Sequence, residues 1–443
     1  MPNSLGHHAV VLGAGMAGLT TAQALSKHFG KVTILERDLL PGEPAPRSGT
    51  PQAPHAHALL AGGLQALQSL FPDFERDLEN AGALRLRTGM GIRLERPGFD
   101  PFPSRDLGFD AFFMSRPLLE SITRRRVQES ANIVIRARHR ATEIVASPDT
   151  LHVQAVLYDT DEGRGVTIDA DFVVEATGRG GLTLQLLERL GLEKPEETEI
   201  GMDQAYSTMI VERPEDRERP WAGVMHLPAA PASCRGGFVF PIEKERWIVS
   251  IGGSHGDVPS GDREGFLDFV RSFRTSTIYD AVKNARQTAD IVRYRLPAST
   301  RRHFERLETF PAGLLAVGDA VCRFNPVFGQ GMSVAAQEAV ILRRLLQENI
   351  PAGQLAKQFF TAIQPVIETP WGVAQTDFVH PATRGERPAN FEQRIQYNIA
   401  LTKIAAEDPE VHKLLAEVQH LLTPPSALRE PALAARVTAL MGA

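Results

Sequence analysis

The run Gly13-Ala-Gly-Met-Ala-Gly18 constrains the fold of this chain more than any other stretch. An apolar segment, Ala9 to Leu12, precedes it and predicts a buried strand, and Leu19 to Leu25 after it predicts a helix. The glycines therefore lie on the turn between a strand and a helix. This is the arrangement in which a Gly-x-Gly-x-x-Gly run binds a dinucleotide.

Each glycine of the turn has a separate role in that arrangement. Gly13 permits the tight turn, Gly15 lets backbone N–H groups approach a pyrophosphate, and Gly18 lets the helix pack closely on the strand. The helix N-terminus adds partial positive charge that faces the anion. The predicted cofactor contacts here are Gly13, Gly15, Met16, Ala17 and Gly18.

A second strand strengthens this prediction. Lys31 to Leu35 is apolar and β-like, and it ends in Glu36, followed by Arg37. An acidic residue about 20 residues beyond the glycines is placed to accept the hydroxyls of an adenosine ribose. We assign Glu36 and Arg37 to the cofactor site, although the motif alone leaves NAD and FAD open.

Composition and charge fit a soluble globular enzyme of two or three domains. The 443 residues are 43% hydrophobic and 23% charged, and the net charge is -5. This charge excludes a general nucleic-acid binder, and the short run Arg124 to Arg126 indicates a solvated helix face. Because no run of 18 apolar residues and no signal peptide are visible, we expect no membrane span and a cytoplasmic location.

The cysteines and histidines do not indicate a metal. Cys234 and Cys322 are far apart in sequence, which is typical of a reducing compartment, and we expect both to be core thiols. His55 and His57 have no acidic or cysteine partner at ligand spacing. We expect them to hydrogen-bond the loop or a flavin, and we assign no metal site.

The proline- and glycine-rich loop from Leu40 to Pro54 is the next candidate for a site. Its Arg47 carries a guanidinium fork that matches a diphosphate, and the alternative is a solvated loop residue. Gln52 lies on the same loop and is assigned to the cofactor. Further on, Arg116 begins a helix with Ser115 near its N-cap, and the residues alone leave Arg116 as either a surface residue or a ligand contact.

The middle of the chain is rich in predicted strands. Four of them are expected to form a small β-ribbon: Ile133 to Ala137, Ala141 to Ala146, Leu151 to Tyr158 and Gly165 to Ala170. Phe172 to Glu175 predicts a buried strand of the nucleotide sheet, followed by a turn that contains Gly178. From about Gly201 the pattern changes to antiparallel strands, of which Gly237 to Pro241 and Trp247 to Gly252 predict a hairpin.

The helices after that point are predicted from spacing and capping residues. Phe266, Phe269 and Phe273 recur at helical spacing and are expected in the core. From about Gln347 the pattern is helical, with Asp408 as an expected N-cap.

A second strong signal occurs at Leu314 to Ala339. A buried strand ends at Gly318-Asp319, and a loop rich in glycine and proline precedes a helix that begins near Gly331. One long ligand contacting both motifs would be FAD, with Asp319 accepting a ribityl hydroxyl and the helix N-terminus facing the isoalloxazine. The residues assigned to FAD in this segment are Asp319, Pro326, Gly329, Gly331 and Met332.

Together these patterns predict an α/β fold of three parts. The first is a discontinuous Rossmann-type FAD-binding domain, residues 1–74, 106–199 and 299–346. The second is an antiparallel β-sheet substrate domain, residues 75–105 and 200–298, and the third is a helical C-terminal region, residues 347–443.

The chain resembles the FAD-dependent monooxygenases of the p-hydroxybenzoate hydroxylase superfamily over about residues 8 to 346. The resemblance is carried by the glycine run with Glu36, by Arg47 and Arg116, and by Gly318-Asp319 followed by Pro326-x-x-Gly329-x-Gly331. Within the superfamily, Arg47 to His57, Ala176 to Gly181 and Asn325 to Met332 are most similar to the olefin epoxidases of polyether pathways.

This resemblance implies that one oxygen atom of O2 is inserted into a hydrophobic substrate through a flavin C4a-hydroperoxide, by epoxidation of an alkene or by hydroxylation. It places the substrate against Pro326, Val327, Phe328 and Phe240. An FAD-dependent reductase or dehydrogenase acting on an isoprenoid-like alkene, and a flavin-binding protein without turnover, remain alternatives.

The chain also departs from the family. Glu175-Ala-Thr-Gly178-Arg179 replaces the motif linked to direct NADPH use, so NAD(P)H would reduce the flavin either directly or through a separate flavin reductase. The Trp-x-Trp-x-Ile-Pro signature of flavin halogenases is absent, and no lysine lies between Lys31 and Lys194. Halogenation is therefore not expected.

Overall fold

The structure is a computed structural model and describes residues 6–215, 219–348 and 350–442. The strands in these ranges are β1 His8–Leu12, β2 Lys31–Glu36, β3 Leu84–Arg87, β4 Ile92–Glu95, β5 Asp110–Phe113, β6 Ile133–Ala137, β7 Arg140–Ala146, β8 Val153–Asp159, β9 Val166–Asp169, β10 Phe172–Glu175, β11 Glu197–Glu212, β12 Gly223–His226, β13 Gly236–Ile242, β14 Arg246–Gly253, β15 Val292–Arg302, β16 Leu314–Ala316 and β17 Cys322–Arg323.

The α-helices in the same ranges are α1 Met16–Leu25, α2 Ala61–Leu70, α3 Phe74–Asn80, α4 Arg116–Gln128, α5 Gly181–Arg189, α6 Arg263–Arg271, α7 Thr277–Val282, α8 Gly331–Gln347, α9 Ala352–Ala362, α10 Gln364–Ala374, α11 Phe391–Glu407, α12 Pro409–Gln419 and α13 Pro431–Met441. Short 3-10 turns lie at Phe304–Arg306, Gly318–Ala320, Pro326–Phe328, Gln375–Val379 and Pro425–Arg429. None of the helices described is long and apolar enough to cross a membrane.

A five-stranded parallel sheet forms the centre of the first layer, in the order β16-β10-β1-β2-β6. Its central strands are almost continuously apolar and buried, because both faces of the sheet are covered, one by helices and the other by strands β7 to β9 together with α5. Helix α1 packs against α8 and α4 on one side. The predicted α/β class with a Rossmann-type sheet is confirmed.

The predicted β-ribbon is wrong in one of its four strands. β7, β8 and β9 form a three-stranded antiparallel sheet as expected, but β6 pairs in parallel with β2 at the edge of the five-stranded sheet. Alternation of polar and apolar residues does not distinguish a strand of an antiparallel ribbon from an edge strand of a parallel sheet, because both expose one side. Val134 is 43% exposed at this edge.

A seven-stranded sheet, ordered β17-β15-β11-β14-β13-β12-β4, forms the second layer. It is antiparallel except for β12 and β4, and β13 and β14 form the predicted hairpin. Phe266, Phe269 and Phe273 are buried in the core against this sheet, as their helical spacing predicted. β15 runs through residue 298, so the proposed domain boundary there falls inside a strand.

Helices α9 to α13 form the C-terminal region and pack back on both layers. The end of α12 meets the start of α2, where the Gly62 N–H donates to the His420 carbonyl at 2.9 Å. Asp408 caps α12 as predicted, because its carboxylate accepts from the N–H groups of Glu410 and Val411.

The assignment of Arg124 to the surface and that of Cys234 to the core need correction. Arg124 is buried, not solvated, because its guanidinium donates to the Pro41 carbonyl across the start of the Arg47 loop. Cys322 is a core thiol as expected, whereas Cys234 is only half-buried and lines a cavity. Both thiols are free.

Candidate active site

The glycine turn between β1 and α1 has the geometry of an anion cradle. Gly13 has a φ of +103°, and a Cβ on it would lie 2.8 Å from the Ala176 carbonyl oxygen. A Cβ on Gly18 would lie 1.9 Å from the Gly13 carbonyl oxygen, so helix and turn touch without room for a side chain. By contrast, nothing lies within 4 Å of a Cβ on Gly15. The open side of the cradle is therefore at Gly15.

The second motif lies directly against the first. A Cβ on Gly318 would lie 2.8 Å from the Cβ of Ala17, and α8 packs along α1. The first hydrogen bonds of these helices are Leu19 N–H to Gly15 O and Val334 N–H to Gln330 O. The N–H groups before these bonds have no partner within the helix, so each helix N-terminus carries partial positive charge. Because the helices are in contact, these two positive N-termini lie side by side.

Glu36 is buried at the end of β2 and is tied to the glycine turn. Its Oε2 accepts from the Ala14 N–H at 2.7 Å, and its Oε1 accepts from the Asp38 N–H at 3.0 Å. Oε1 keeps a second lone pair, whereas Oε2 also lies 3.1 Å from Nη1 of Arg47. Arg37, assigned to the same site from sequence, points outward, with 49% of its side chain exposed.

Arg47 is buried and surrounded by carboxylates. Its Nε donates to Glu120 at 2.7 Å, and its Nη1 lies 2.9 Å from Asp38 and 3.1 Å from Glu36. Burial opposes its charge, but Glu120 and Glu36 outweigh burial and raise the pKa of Arg47. Two edges of the guanidinium are thus occupied, so the predicted bidentate contact with a diphosphate would require Arg47 to release a carboxylate.

Arg116 begins α4 and connects this carboxylate group to the second motif. Ser115 caps the helix as predicted, and Arg116 Nη1 donates to Glu120 at 2.8 Å. Its positive charge lowers the pKa of both His57 and Asp319, although burial is the larger influence on each of them. Arg116 is buried rather than on the surface.

Asp319 has no hydrogen-bond donor among the described residues. It lies on the 3-10 turn after β16, where a Cβ on Gly331 would be 3.7 Å from its Oδ1 and a Cβ on Gly178 would be 3.8 Å from its own Cβ. Burial raises the pKa of Asp319 to about 6. This half-buried carboxylate has no donor from the described residues, and hydroxyl groups of a ligand would satisfy it.

Glu338 was not identified from the sequence. It lies on the buried face of α8, its Oε2 accepts from the Gly318 N–H at 2.7 Å, and its Oε1 has no partner. Burial raises the pKa of Glu338 to about 8. The sequence does hold a signal for it: Glu338 lies at helical spacing between Ala335 and Leu342, on a helix face whose other residues are small or apolar.

These features fit FAD. The open side of Gly15, the free N–H groups of two adjoining helices and the partnerless carboxylate of Asp319 suit a ligand with a pyrophosphate and a chain of hydroxyls. Among the described residues, no group of three or more His, Cys, Asp or Glu side chains could hold a metal ion.

A cavity of about 2020 Å³ lies between the seven-stranded sheet and helices α10 to α12. The cavity is lined by all four residues assigned to a substrate, Pro326, Val327, Phe328 and Phe240, and also by Gln52 and Gly329. This volume exceeds the roughly 300 to 1,000 Å³ typical of a drug-sized ligand site. The C-terminal helices close one side of this space.

A polar wall interrupts the apolar lining next to Pro326. The Tyr206 hydroxyl donates to Asn325 Oδ1 at 2.9 Å, and Asn325 Nδ2 donates to Asp377 Oδ2 at 3.1 Å. Burial raises the pKa of Asp377 to about 6. Neither Tyr206 nor Asp377 was identified from sequence, because each lies far from Asn325 along the chain and stands in no motif.

His55 and His57 lie on the same side of the cavity and make loop contacts. His57 Nδ1 is 2.8 Å from the His55 carbonyl, and His55 Nδ1 is 2.7 Å from Thr208 Oγ1. Burial lowers the pKa of His55 to about 4 and, together with Arg116, that of His57 to about 3. Both rings are therefore neutral near pH 7.

Comparison with known proteins gives a consistent picture. A family model described as FAD binding domain matches residues 116–355. The chain is 32% identical over 402 residues to Protein Rv3254 of Mycobacterium tuberculosis (strain ATCC 25618 / H37Rv), covering 86% of this chain and 84% of that protein.

Solved structures share the fold at low identity. The flavin-dependent brominase Bmp2 has a TM-score of 0.70 at 15% identity, over 99% of this chain and 98% of that one. The p-nitrophenol 4-monooxygenase PnpA from Pseudomonas putida DLL-E4 has a TM-score of 0.66 at 17% identity, over 94% and 98%.

Proposed function

Because the chain belongs to the FAD binding domain family, we propose that it is a flavin-dependent monooxygenase that inserts one oxygen atom from O2 into a hydrophobic organic substrate. The observation that carries the proposal is the contact between the two motifs at Ala17 and Gly318, next to a large cavity walled by Pro326 to Phe328. A cofactor held across both motifs would end at this cavity.

The adenosine half of FAD is assigned to the glycine turn. N–H groups of Met16, Ala17 and Gly18 bind the pyrophosphate, and Glu36 accepts a ribose hydroxyl with a free lone pair. Arg47 holds Glu36 in place and neutralises it. Arg116 does the same for Glu120 and adds positive potential near Asp319.

The reactive half is assigned to the segment from Asp319 to Met332. Asp319 accepts a ribityl hydroxyl, and the N-terminus of α8 stabilises negative charge on the ring edge nearest to it. When bound, FAD would supply the electrons that activate O2 for transfer of one atom. Pro326, Val327 and Phe328 then keep water from the reacting face, and the cavity orients the substrate.

Three features of this proposal rest on the sequence resemblance. The first is the reaction type, which is epoxidation of an alkene or hydroxylation. The second is the electron source, NAD(P)H, acting directly or through a flavin reductase. The third is the use of Gln52, Gly178 and Gly329 as cofactor contacts. The size and mostly apolar lining of the cavity favour a large substrate such as a polyene or a polycyclic phenol.

An isotope experiment tests the proposal. The FAD-loaded protein, a flavin reductase and NADH or NADPH are incubated under ¹⁸O2 with polyenes and phenols, and products are analysed by mass spectrometry. We expect a product with one atom of ¹⁸O. Turnover of an alkene without O2, and with no ¹⁸O gained in its presence, would instead establish the reductase alternative.

A further inference from the structure

Asn325 is held in one orientation by its neighbours. Its Oδ1 accepts from the Tyr206 hydroxyl at 2.9 Å and from the Val327 N–H at 3.2 Å. Since a backbone N–H can only donate, this atom must be the amide oxygen, and the other must be the NH2 group. The group 3.1 Å away, Oδ2 of Asp377, must therefore accept.

The other oxygen of Asp377 has no partner. Among the described residues, no N–H or O–H group donates to Oδ1, and no Lys, Arg or His side chain lies within ion-pair distance of this carboxylate. Asp377 lies on the 3-10 turn Gln375–Val379 and lines the large cavity beside Pro326. This carboxylate therefore presents an open acceptor to the cavity, which a hydrogen-bond donor of a ligand could occupy.

We propose that Oδ1 of Asp377 accepts a hydrogen bond from a hydroxyl or N–H group of the substrate and so fixes which end of the substrate faces Pro326. This inference rests on the proposed function, because it concerns the substrate of that site. It narrows the substrate class to large apolar molecules that carry a hydrogen-bond donor, and it excludes pure hydrocarbons as the preferred ligands.

Two hydroxyl groups on the neighbouring wall, those of Ser250 and Thr208, are already hydrogen-bonded, unlike Oδ1 of Asp377. The Ala56 N–H donates to Ser250 Oγ at 2.8 Å, and the Ser250 and Thr208 hydroxyls share a hydrogen bond. If Ser250 donates to Thr208, Thr208 donates to His55 Nδ1, and every hydroxyl proton of this chain is used. His55 Nε2 then carries a proton and can only donate.

The test compares a polycyclic phenol with its methyl ether, because methylation removes the donor and leaves the ring system. Affinities of 2-naphthol, estrone and their O-methyl ethers are measured for the FAD-loaded protein by calorimetry. The variant is Asp377→Asn. Its amide oxygen can still accept from Asn325, whereas its NH2 group replaces the free acceptor.

We expect the wild type to prefer at least one phenol over its ether by about ten- to one hundred-fold, the range for a hydrogen bond to a charged group, and Asp377→Asn to abolish the preference. The matched control is Glu368→Gln, which lines the same cavity but whose carboxylate is already paired with Arg301 at 2.8 Å. This control should keep the preference.

A preference that persists in Asp377→Asn, or a wild type that does not bind the phenols more tightly than the ethers, would overturn the inference. Retained FAD content and circular dichroism establish that the variant is folded, and Asp377→Ala is interpreted in the same way if Asp377→Asn does not retain FAD. Because the assay measures binding, it can succeed when ¹⁸O transfer fails, and the two proposals are tested separately.

Discussion

The backbone N–H of Ala14, inside the glycine turn, donates a 2.7 Å hydrogen bond to Oε2 of Glu36. The same oxygen lies 3.1 Å from Nη1 of Arg47. Glu36 therefore joins the turn after β1 to the loop after β2, besides facing the position assigned to the ribose. The cofactor cradle and the buried charge network around Arg47 are parts of one structure.

Removal of Arg47 should destabilise the protein strongly. Arg47→Met leaves Glu36 and Asp38 buried without their cation, and breaking a buried pair in this way costs about 3 to 5 kcal/mol. Urea unfolding of the FAD-free protein measures the loss. Arg37→Met is the matched control, because Arg37 is half exposed and 3.9 Å from Asp38, and it should cost less than about 0.5 kcal/mol. Equal losses in the two variants would contradict the role given to Arg47.

Two alanine substitutions in the glycine turn should have different consequences. Gly18→Ala places a methyl group 1.9 Å from the Gly13 carbonyl, so helix and strand must separate and the unfolding free energy should fall by several kcal/mol. Gly15→Ala meets no protein atom within 4 Å, so the fold should persist.

FAD titration separates the two variants of the turn. The methyl group of Gly15→Ala would occupy the space assigned to the pyrophosphate, and FAD affinity should fall by at least about tenfold although the urea midpoint is almost unchanged. Normal FAD affinity in Gly15→Ala would remove the pyrophosphate from this position.

The sequence predicted the framework well because the framework has strong local signals. The α/β class and the family resemblance are confirmed, as are strands β1, β2 and β10 and the capping roles of Ser115 and Asp408. Each depends on periodicity or on a cap within a few residues. The edge position of β6 was missed because pairing partners are set by tertiary structure.

Contacts between residues that are far apart in the sequence could not be predicted either. Asn325 contacts Tyr206 and Asp377, and Gly318 contacts Glu338, through hydrogen bonds that no spacing rule encodes. Arg47 was identified as functional by its place in a loop rich in proline and glycine, but its three carboxylate partners come from two other segments, the end of β2 and helix α4. The cofactor assignments of the individual residues stay predictions.

Asp319 should contribute directly to FAD affinity. If its partnerless carboxylate accepts a ribityl hydroxyl, Asp319→Ala should weaken FAD binding by about 1.5 to 3 kcal/mol, the range for a hydrogen bond with an ionised group. Fluorescence titration with FAD measures this change. Asp262→Asn is a suitable control, because Asn can still cap α6 and the residue lies in another part of the fold. An unchanged affinity in Asp319→Ala would remove the assigned role.

Glu338 should make the stability of the protein depend on pH. Its pKa is raised from 4.5 to about 8 by burial, so the folded state favours the protonated carboxyl. The stabilisation is fully present below about pH 4.5, where the unfolded chain is protonated too, and is lost as pH rises through about 8. Glu338→Gln cannot ionise, and its amide oxygen can still accept from the Gly318 N–H.

Between these limits, the unfolding free energy of the wild type should therefore fall relative to that of Glu338→Gln by about 1.4 kcal/mol for each pH unit, which corresponds to one proton. Urea unfolding at several pH values gives this difference, because pH effects from groups that do not interact with Glu338 cancel in the comparison. Glu348→Gln, an exposed position just beyond the end of the same helix, should show no such slope. If the wild type and Glu338→Gln vary in parallel with pH, then Glu338 is ionised in the folded protein. In that case the negative charge of Glu338 would lie beside Gly318 and would raise the pKa of Asp319. FAD would then meet a protonated, neutral Asp319 rather than a carboxylate.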